Sequence, residues 1–301
     1  MAGVRGTIST NSEAIHNAAR ECFCRVYSPC WTPRLEMRFW VDPNASSQPP
    51  WPKPFFRGLD HLVFASFDAE SSLLIDLHTC RAIGRFSPAI ADHRAYWRTV
   101  VFPVVISIIG ATVGITELHC GCVARDGRGL LLVGGSGSGK STLALALAQS
   151  GFGYLSDDRT YVSAWEGGIA AWGMPTLLKL RPDAAQWLRG VRESRHSPTG
   201  NGEPALWFDP AVDLGVRRVQ RCEPVVLVFL KRRQAPIFSV SALPRDQAAQ
   251  KLQADWMFEE PAAAERQREM VTQLLTLSCW ELEFGGPPDA VARLLETRLP
   301  L

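Results

Sequence analysis

Hydrophobic and polar positions along the chain predict a succession of short strands and amphipathic helices. Leu62–Phe67 (LVFASF) and Leu73–Leu77 (LLIDL) are apolar runs of strand length, predicting a hairpin across Asp68–Ser72. Cys120–Ala124 and Gly129–Val133 (GLLLV) flank Asp126-Gly127, a hairpin turn signal. The unbroken apolar character of Gly129–Val133 suits a strand in a sheet covered on both faces. A glycine-rich stretch then leads into LALALAQS, a run of good helix formers, with Gly151 where a C-cap glycine would stand. Tyr154–Leu155, then Thr160–Ala164 and Ile169–Trp172 about a Gly167-Gly168 turn, follow as short strands. Pro224–Leu230 (PVVLVFL) reads as a buried strand, and Ile237–Leu243 alternates like a half-buried one. Two helices are predicted over about Asp246–Met257 and Ala262–Leu277, then a strand at Trp280–Phe284 and a last helix from Pro287-Pro288 to about Arg298. The succession predicts an α/β fold around one central sheet.

Two stretches break this pattern. The first forty residues show no clear period, and Ser46–Pro54 (SSQPPWPKP) reads as loop because proline fixes φ and supplies no donor. Val100–Ile115 is almost free of charge, but its sixteen residues fall short of the roughly 20 that cross a bilayer. Pro103, Gly110 and Gly114 interrupt it, so a buried core helix is expected and no membrane segment. Residues 1–112 are expected as an N-terminal region of mixed α and β content and unassigned role, and 113–301 as the main domain.

Composition narrows the class. With 301 residues, 46% hydrophobic and 21% charged, the chain has the balance of a soluble globular protein. Lys+Arg 32 against Asp+Glu 30 leaves a net charge of +2, which argues against a broad basic face for nucleic acid. The eight cysteines form no C-x-x-C pair. Cys22/Cys24 and Cys120/Cys122 are C-x-C pairs that would share one face of a strand. Reduced, mostly buried thiols are expected, and with no apolar leader in the first twenty residues a cytoplasmic location is expected too.

The chemistry concentrates in one place. Gly134-Gly135-Ser136-Gly137-Ser138-Gly139-Lys140-Ser141-Thr142 fits the pattern G-x-x-x-x-G-K-[ST], after a predicted strand and before a predicted helix. Glycines there let the backbone turn its N–H groups inward as an anion nest, and the helix start adds its positive end. Lys140 would bridge β- and γ-phosphates, and Ser141 would offer its hydroxyl to Mg²⁺. The next acidic residues, Asp157 and Asp158, follow a short strand, where α/β sheets open to their ligands. Such a pair can divide the work, one carboxylate on the metal and one accepting a proton. An LSGG-like signature and an N-K-x-D guanine reader are both absent from the sequence, leaving kinases with an early acid pair.

Three blocks resemble the HPr kinase/phosphorylase C-terminal domain and its HprK-related serine kinases: Leu118-His119-Cys120-Gly121, Gly134–Thr142, and GFGYLSDDR at Gly151–Arg159, which is similar to the family's G-h-x-L-h-x-D-D-R. Glu223–Arg233 is similar to a strand followed by a basic phosphate-contacting loop. The resemblance implies a P-loop kinase domain of the HPr kinase/PEP carboxykinase-like type. It implies ATP and Mg²⁺ as cofactors and transfer of the γ-phosphoryl group to a serine-type hydroxyl of a protein, peptide or small molecule. It assigns the general base to Asp157, the metal-side carboxylate to Asp158 beside Ser141, orientation of the pair to His119, and phosphate contacts to Arg232 or Arg233. Trp172–Pro182 (WGMPTLLKLRP) holds no glutamate where bifunctional members carry an acidic signature, so the resemblance is to kinase-only relatives. An ATP-binding regulator without an acceptor, a small-molecule kinase of another P-loop class, and assembly into a homo-oligomer stay open.

Overall fold

A computed structural model describes residues 1–23, 34–191, 196–198, 204–234, 237–252 and 260–299. Among these residues the chain is a mixed α/β protein with three sheets rather than one, and it divides into two compact units. The first is Met1–Thr116 with Met174–Thr176 and Met257–Gln267; the second is Glu117–Gly173, Leu177–Trp256 and Arg268–Leu301.

The first unit opens with β1 (Gly6–Thr10), α1 (Glu13–Cys22) and β2 (Leu35–Val41), with β1 and β2 parallel. The Ser12 hydroxyl caps α1 by accepting from the Ile15 amide. Then come β3 (Phe55–Leu59), β4 (Leu62–Ser66), β5 (Ser72–Asp76) and β6 (Arg81–Phe86), an antiparallel meander that closes on β2 in parallel register. The hairpin predicted across Asp68–Ser72 is β4–β5. One sheet face buries Met37, Phe39, Ile75 and Phe86. Against it lie α2 (Pro88–Asp92), α3 (Arg94–Tyr96), a π-helical turn at Trp97–Val101, and α4 (Phe102–Gly110). Phe39 meets Trp97 at 5.2 Å and Phe102 at 6.1 Å edge-on, and the Trp97 indole donates to the Ile90 carbonyl. The helical stretch Arg94–Val113 is long and apolar enough to cross a membrane, yet 67% of its 18-residue apolar window is buried inside the folded chain.

The second unit is built around parallel strands. After β7 (Ile115–Leu118) come β8 (Cys120–Arg125), β9 (Arg128–Val133), α5 (Lys140–Gln149), β10 (Gly153–Ser156), β11 (Thr160–Trp165) and β12 (Gly168–Trp172). The three-stranded sheet β13 (Leu178–Leu180), β14 (His196–Pro198) and β15 (Pro204–Phe208) carries α6 (Pro182–Ala185) and leads to α7 (Pro210–Leu214). The chain ends with β16 (Arg221–Arg232), β17 (Phe238–Ala242), α8 (Arg245–Lys251), α9 (Pro261–Leu274), β18 (Ser278–Phe284) and α10 (Pro288–Arg298). β9, β16 and β18 run parallel as the spine. Alternate residues explain their unbroken apolar text: Leu130, Leu132, Val226 and Val228 bury on one face, with α5 and α10, and Leu131, Leu227 and Phe229 on the other. Both members of the Cys120/Cys122 pair bury on that second face, where Cys122 lies 3.6 Å from Cys222, sulfur to sulfur. Cys24 and Met257 lie outside the described residues.

Candidate active site

The topology of the second unit gathers the chemistry at one sheet end. β9 runs out at Val133 into the glycine-rich loop. β8 is antiparallel to it and pairs Cys120 with Val133, so His119 stands at the same end. β10 is antiparallel to β8 and pairs Ser156 with Cys122, so Asp157 and Asp158 leave the sheet there too. A bulge between Tyr154 and Ser156 re-aims the chain as it exits. Gly121 permits the approach: a Cβ there would sit 3.2 Å from the Asp157 carbonyl oxygen.

Within the loop Gly137 and Gly139 hold φ of 78° and 95°, conformations that L side chains rarely adopt. The Ser138 amide donates to the Gly135 carbonyl, and α5 begins at Lys140. Lys140 is 5% exposed and donates to the carbonyls of Gly134 at 2.6 Å and Gly135 at 3.1 Å, and to His119 Nε2 at 3.1 Å. Burial lowers its pKa, and the negative charge of Asp158 and Asp157 works against that shift. With Nε2 accepting, the imidazole proton sits on Nδ1, 3.2 Å from Asp158 Oδ1.

The two aspartates occupy different environments. Asp157 is buried, accepts from the Tyr154 hydroxyl at 2.7 Å, and is hydrogen-bonded by Ser141. Burial pushes its pKa from 3.8 up to about 6, against those two hydrogen bonds. Asp158 is half-exposed and faces His119. The resemblance assigns the base to Asp157 and the metal side to Asp158; the side chains put Asp157 at the Ser141 hydroxyl and Asp158 on the open side, facing His119. His119 touches Asp158 and Lys140 rather than orienting both carboxylates.

The two arginines also part company. Arg232 lies over the Phe284 ring at 5.6 Å, and its Nη1 would be 3.3 Å from a Cβ on Gly139, which puts it against the loop. Arg233 is bonded to Glu283 instead, so the expectation that either arginine serves the loop narrows to Arg232. Ser136 is exposed on the loop, Thr142 is part-buried on the first turn of α5, and the buried Ser138 Oγ has no hydrogen-bond partner among the described residues.

Sequence reasoning missed Tyr154. It reads as an apolar strand residue, and only the bulge that follows brings its hydroxyl to Asp157. Its own pKa is raised well above 10.0, by burial first and by Asp157 second. Asp209 and Arg218, an ion pair at 2.9 Å, stand near the same tyrosine: Arg218 bridges its backbone, and both charges act on its hydroxyl. Among the described residues no cluster of three or more His, Cys, Asp or Glu is arranged to hold a metal ion.

No family model matches the chain, and no curated protein does. Among solved structures, the Hpr(Ser) kinase/phosphatase from Coxiella burnetii aligns with 60% of this chain and 95% of its own, at 13% sequence identity and a TM-score of 0.31.

Proposed function

We propose that the second unit binds ATP with Mg²⁺ and transfers the γ-phosphoryl group to a hydroxyl on a protein, peptide or small molecule. The observation that carries this is one linked set of side chains at the end of β9. Lys140 sits inside the glycine-rich loop, His119 joins Lys140 to Asp158, and Asp157 is bonded to Ser141.

The residues fit a nucleoside triphosphate and a small divalent cation. The loop amides and the start of α5 would cradle the phosphates. Lys140 rests on the loop carbonyls of Gly134 and Gly135, and would bridge the β- and γ-phosphates of a bound nucleotide. Ser141 and Asp157 would hold the cation, since a buried carboxylate with a raised pKa gains most from a positive charge beside it. Bound there, Mg²⁺ would neutralise charge building on the transferring phosphoryl oxygens. A site with one carboxylate and one hydroxyl suits Mg²⁺, which keeps waters and takes its other ligands from phosphate.

Asp158 is the better placed of the two carboxylates to accept the acceptor's proton. It stands on the open side, where an acceptor can reach it, and its Oδ1 is held by the Nδ1–H of His119. As the acceptor oxygen bonds to phosphorus and the bond to the ADP oxygen breaks, the hydroxyl proton passes to Asp158. His119 and Lys140 then form a continuous hydrogen-bonded path from that carboxylate to the phosphate loop. Arg232 adds a second positive charge beside Gly139. This reading places the protein in an ATP-containing compartment, the cytoplasm.

The test is phosphate transfer from radiolabelled ATP to serine-containing peptides, with free phosphate followed in parallel. Wild type should label an acceptor, and Asp158→Asn should lose transfer while keeping Mg·ATP affinity. Free phosphate alone, unchanged by Asp158→Asn, would replace the kinase reading with an ATP-hydrolysing regulator.

A further inference from the structure

The six-stranded sheet of the first unit buries one face and leaves the other open. Across the open face Ile83, Leu74 and Phe64 stand directly opposite one another on β6, β5 and β4, all exposed, and the row ends at Arg57 on β3. Among the described residues β4 is the only strand that pairs with β3.

The direction of the β3 peptide groups follows from hydrogen bonds elsewhere in the sheet. The His61 carbonyl accepts from Leu77, and the Phe67 amide donates to Ser71, so odd-numbered positions along β4 turn towards β5. The even-numbered ones, and with them Phe55, Arg57 and Leu59, exchange the bonds between β3 and β4. Phe56 and Gly58 therefore aim their N–H and C=O groups outward, at the open edge. A Cβ built on Gly58 meets nothing within 4 Å. Edge strands are usually guarded by proline, charged side chains or a bulge, and Phe55–Leu59 has no proline and no bulge, and one charge, Arg57. Phe55 and Leu59 are instead 56% and 75% exposed.

Charge distinguishes the occupants. The neighbouring arginines of this face are paired: Arg81 with Glu36, and Arg85 with Asp42. Arg57 makes no ion pair among the described residues and lies 5.7 Å over the Phe55 ring. A second copy of this chain fits poorly. The one antiparallel self-pairing that satisfies both Phe56 and Gly58 sets Phe56 against Gly58 of the copy, and so sets Arg57 against Arg57. That is a non-hydrogen-bonded pair, where side chains are closest and like charges repel. Centring the pair on Phe56 brings Pro54, which has no N–H, opposite Gly58, and centring it on Gly58 brings the turn residue Asp60 opposite Phe56.

We propose that the β3 edge takes an extended peptide of another molecule by strand addition, with an acidic side chain opposite Arg57 and apolar side chains two residues to either side, over Phe55 and Leu59. Main-chain bonds to Phe56 and Gly58 supply the affinity, and the acidic residue fixes the register.

The probe is the peptide Gly-Gly-Thr-Val-Thr-Asp-Thr-Val-Thr-amide with fluorescein on its N-terminal amine, titrated with the full chain by anisotropy. Binding should saturate. Arg57→Glu should weaken it about 10-fold or more, and a peptide with Lys in place of Asp should recover that loss on the same variant. N-methylation of the two threonines next to Asp should abolish binding, while N-methylation of both valines should leave it intact. This comparison alters the peptide only, so it stands even where a protein variant folds badly. No saturation up to about 1 mM, the weak end of specific recognition, would overturn the proposal. So would indifference to the Asp/Lys exchange or to which amides are methylated. A concentration-dependent dimer in sedimentation that Gly58→Pro dissolves would assign the edge to a second copy instead, and would equally overturn it.

Discussion

Replacing Asp157 by asparagine should stabilise the ligand-free protein, and the magnitude follows from the burial of that carboxylate. Burial moves its pKa from 3.8 to about 6. At about 1.4 kcal/mol per tenfold change in proton affinity, the ionised side chain costs the fold roughly 3 kcal/mol at pH 8. The sign is set by linkage: the folded state holds this proton more tightly than the unfolded state. The cost is therefore absent below about pH 4, grows as pH rises through the folded pKa of about 6, and is complete above it. Asparagine keeps an oxygen for the Tyr154 hydroxyl and offers an N–H to Ser141, so both neighbours stay partnered. The expected gain at pH 8 is about 1–3 kcal/mol, or roughly 2–12 °C in the unfolding midpoint of the second unit. The assay is thermal unfolding of wild type and Asp157→Asn in EDTA between pH 5 and pH 8, repeated with Mg²⁺ and ATP. Ligand should raise the wild-type midpoint by more than that of the variant, which keeps the phosphate loop and loses a carboxylate for the cation. A variant less stable than wild type at pH 8, or a gain that does not shrink towards pH 5, would refute the reasoning.

Asp158→Asn should lower phosphoryl transfer by about 10²–10⁴-fold in steady-state assays while Mg·ATP affinity in calorimetry stays within a few-fold, because a base is lost and the loop is not. Lys140→Ala should abolish productive ATP use, seen as loss of ADP formation, and unchanged turnover would end the phosphate-loop reading. Tyr154→Phe should raise the Mg²⁺ concentration needed for half-maximal activity several-fold, by freeing the Asp157 rotamer; an equal fall at every Mg²⁺ concentration would assign the hydroxyl a purely structural role. Gly139→Ala should weaken ATP binding by about 10-fold or more in fluorescence titration, since its φ of 95° strains an L residue and the new methyl meets Phe284 at 3.1 Å.

Elements whose physics is local can be read from neighbouring residues. Gly129–Val133 is apolar at every position because both faces of β9 are covered, and the glycines after it are spaced for a turn into a helix. The Asp126-Gly127 hairpin and the core helix after Arg98 were legible for the same reason, since turn chemistry and hydrophobic length are written in neighbouring residues. The sheet of the first unit was legible only in its β4–β5 hairpin. β1 pairs with β2 across an intervening helix, and β3 is exposed at four of its five positions, so no apolar period marks either strand. The acid pair was legible as a pair, and the resemblance named its neighbours His119, Lys140 and Ser141. Which of the two meets Ser141 and which faces the open side was not, because adjacent residues differ only in direction. That direction is decided by the bulge in β10, by the opening that Gly121 leaves for the backbone, and by a tyrosine hydroxyl three residues upstream. Arg232 and Arg233 were equal candidates for the same reason; successive residues of a strand point to opposite faces, and only the packing of Phe284 and Glu283 on β18 turned one to the loop and the other to a carboxylate.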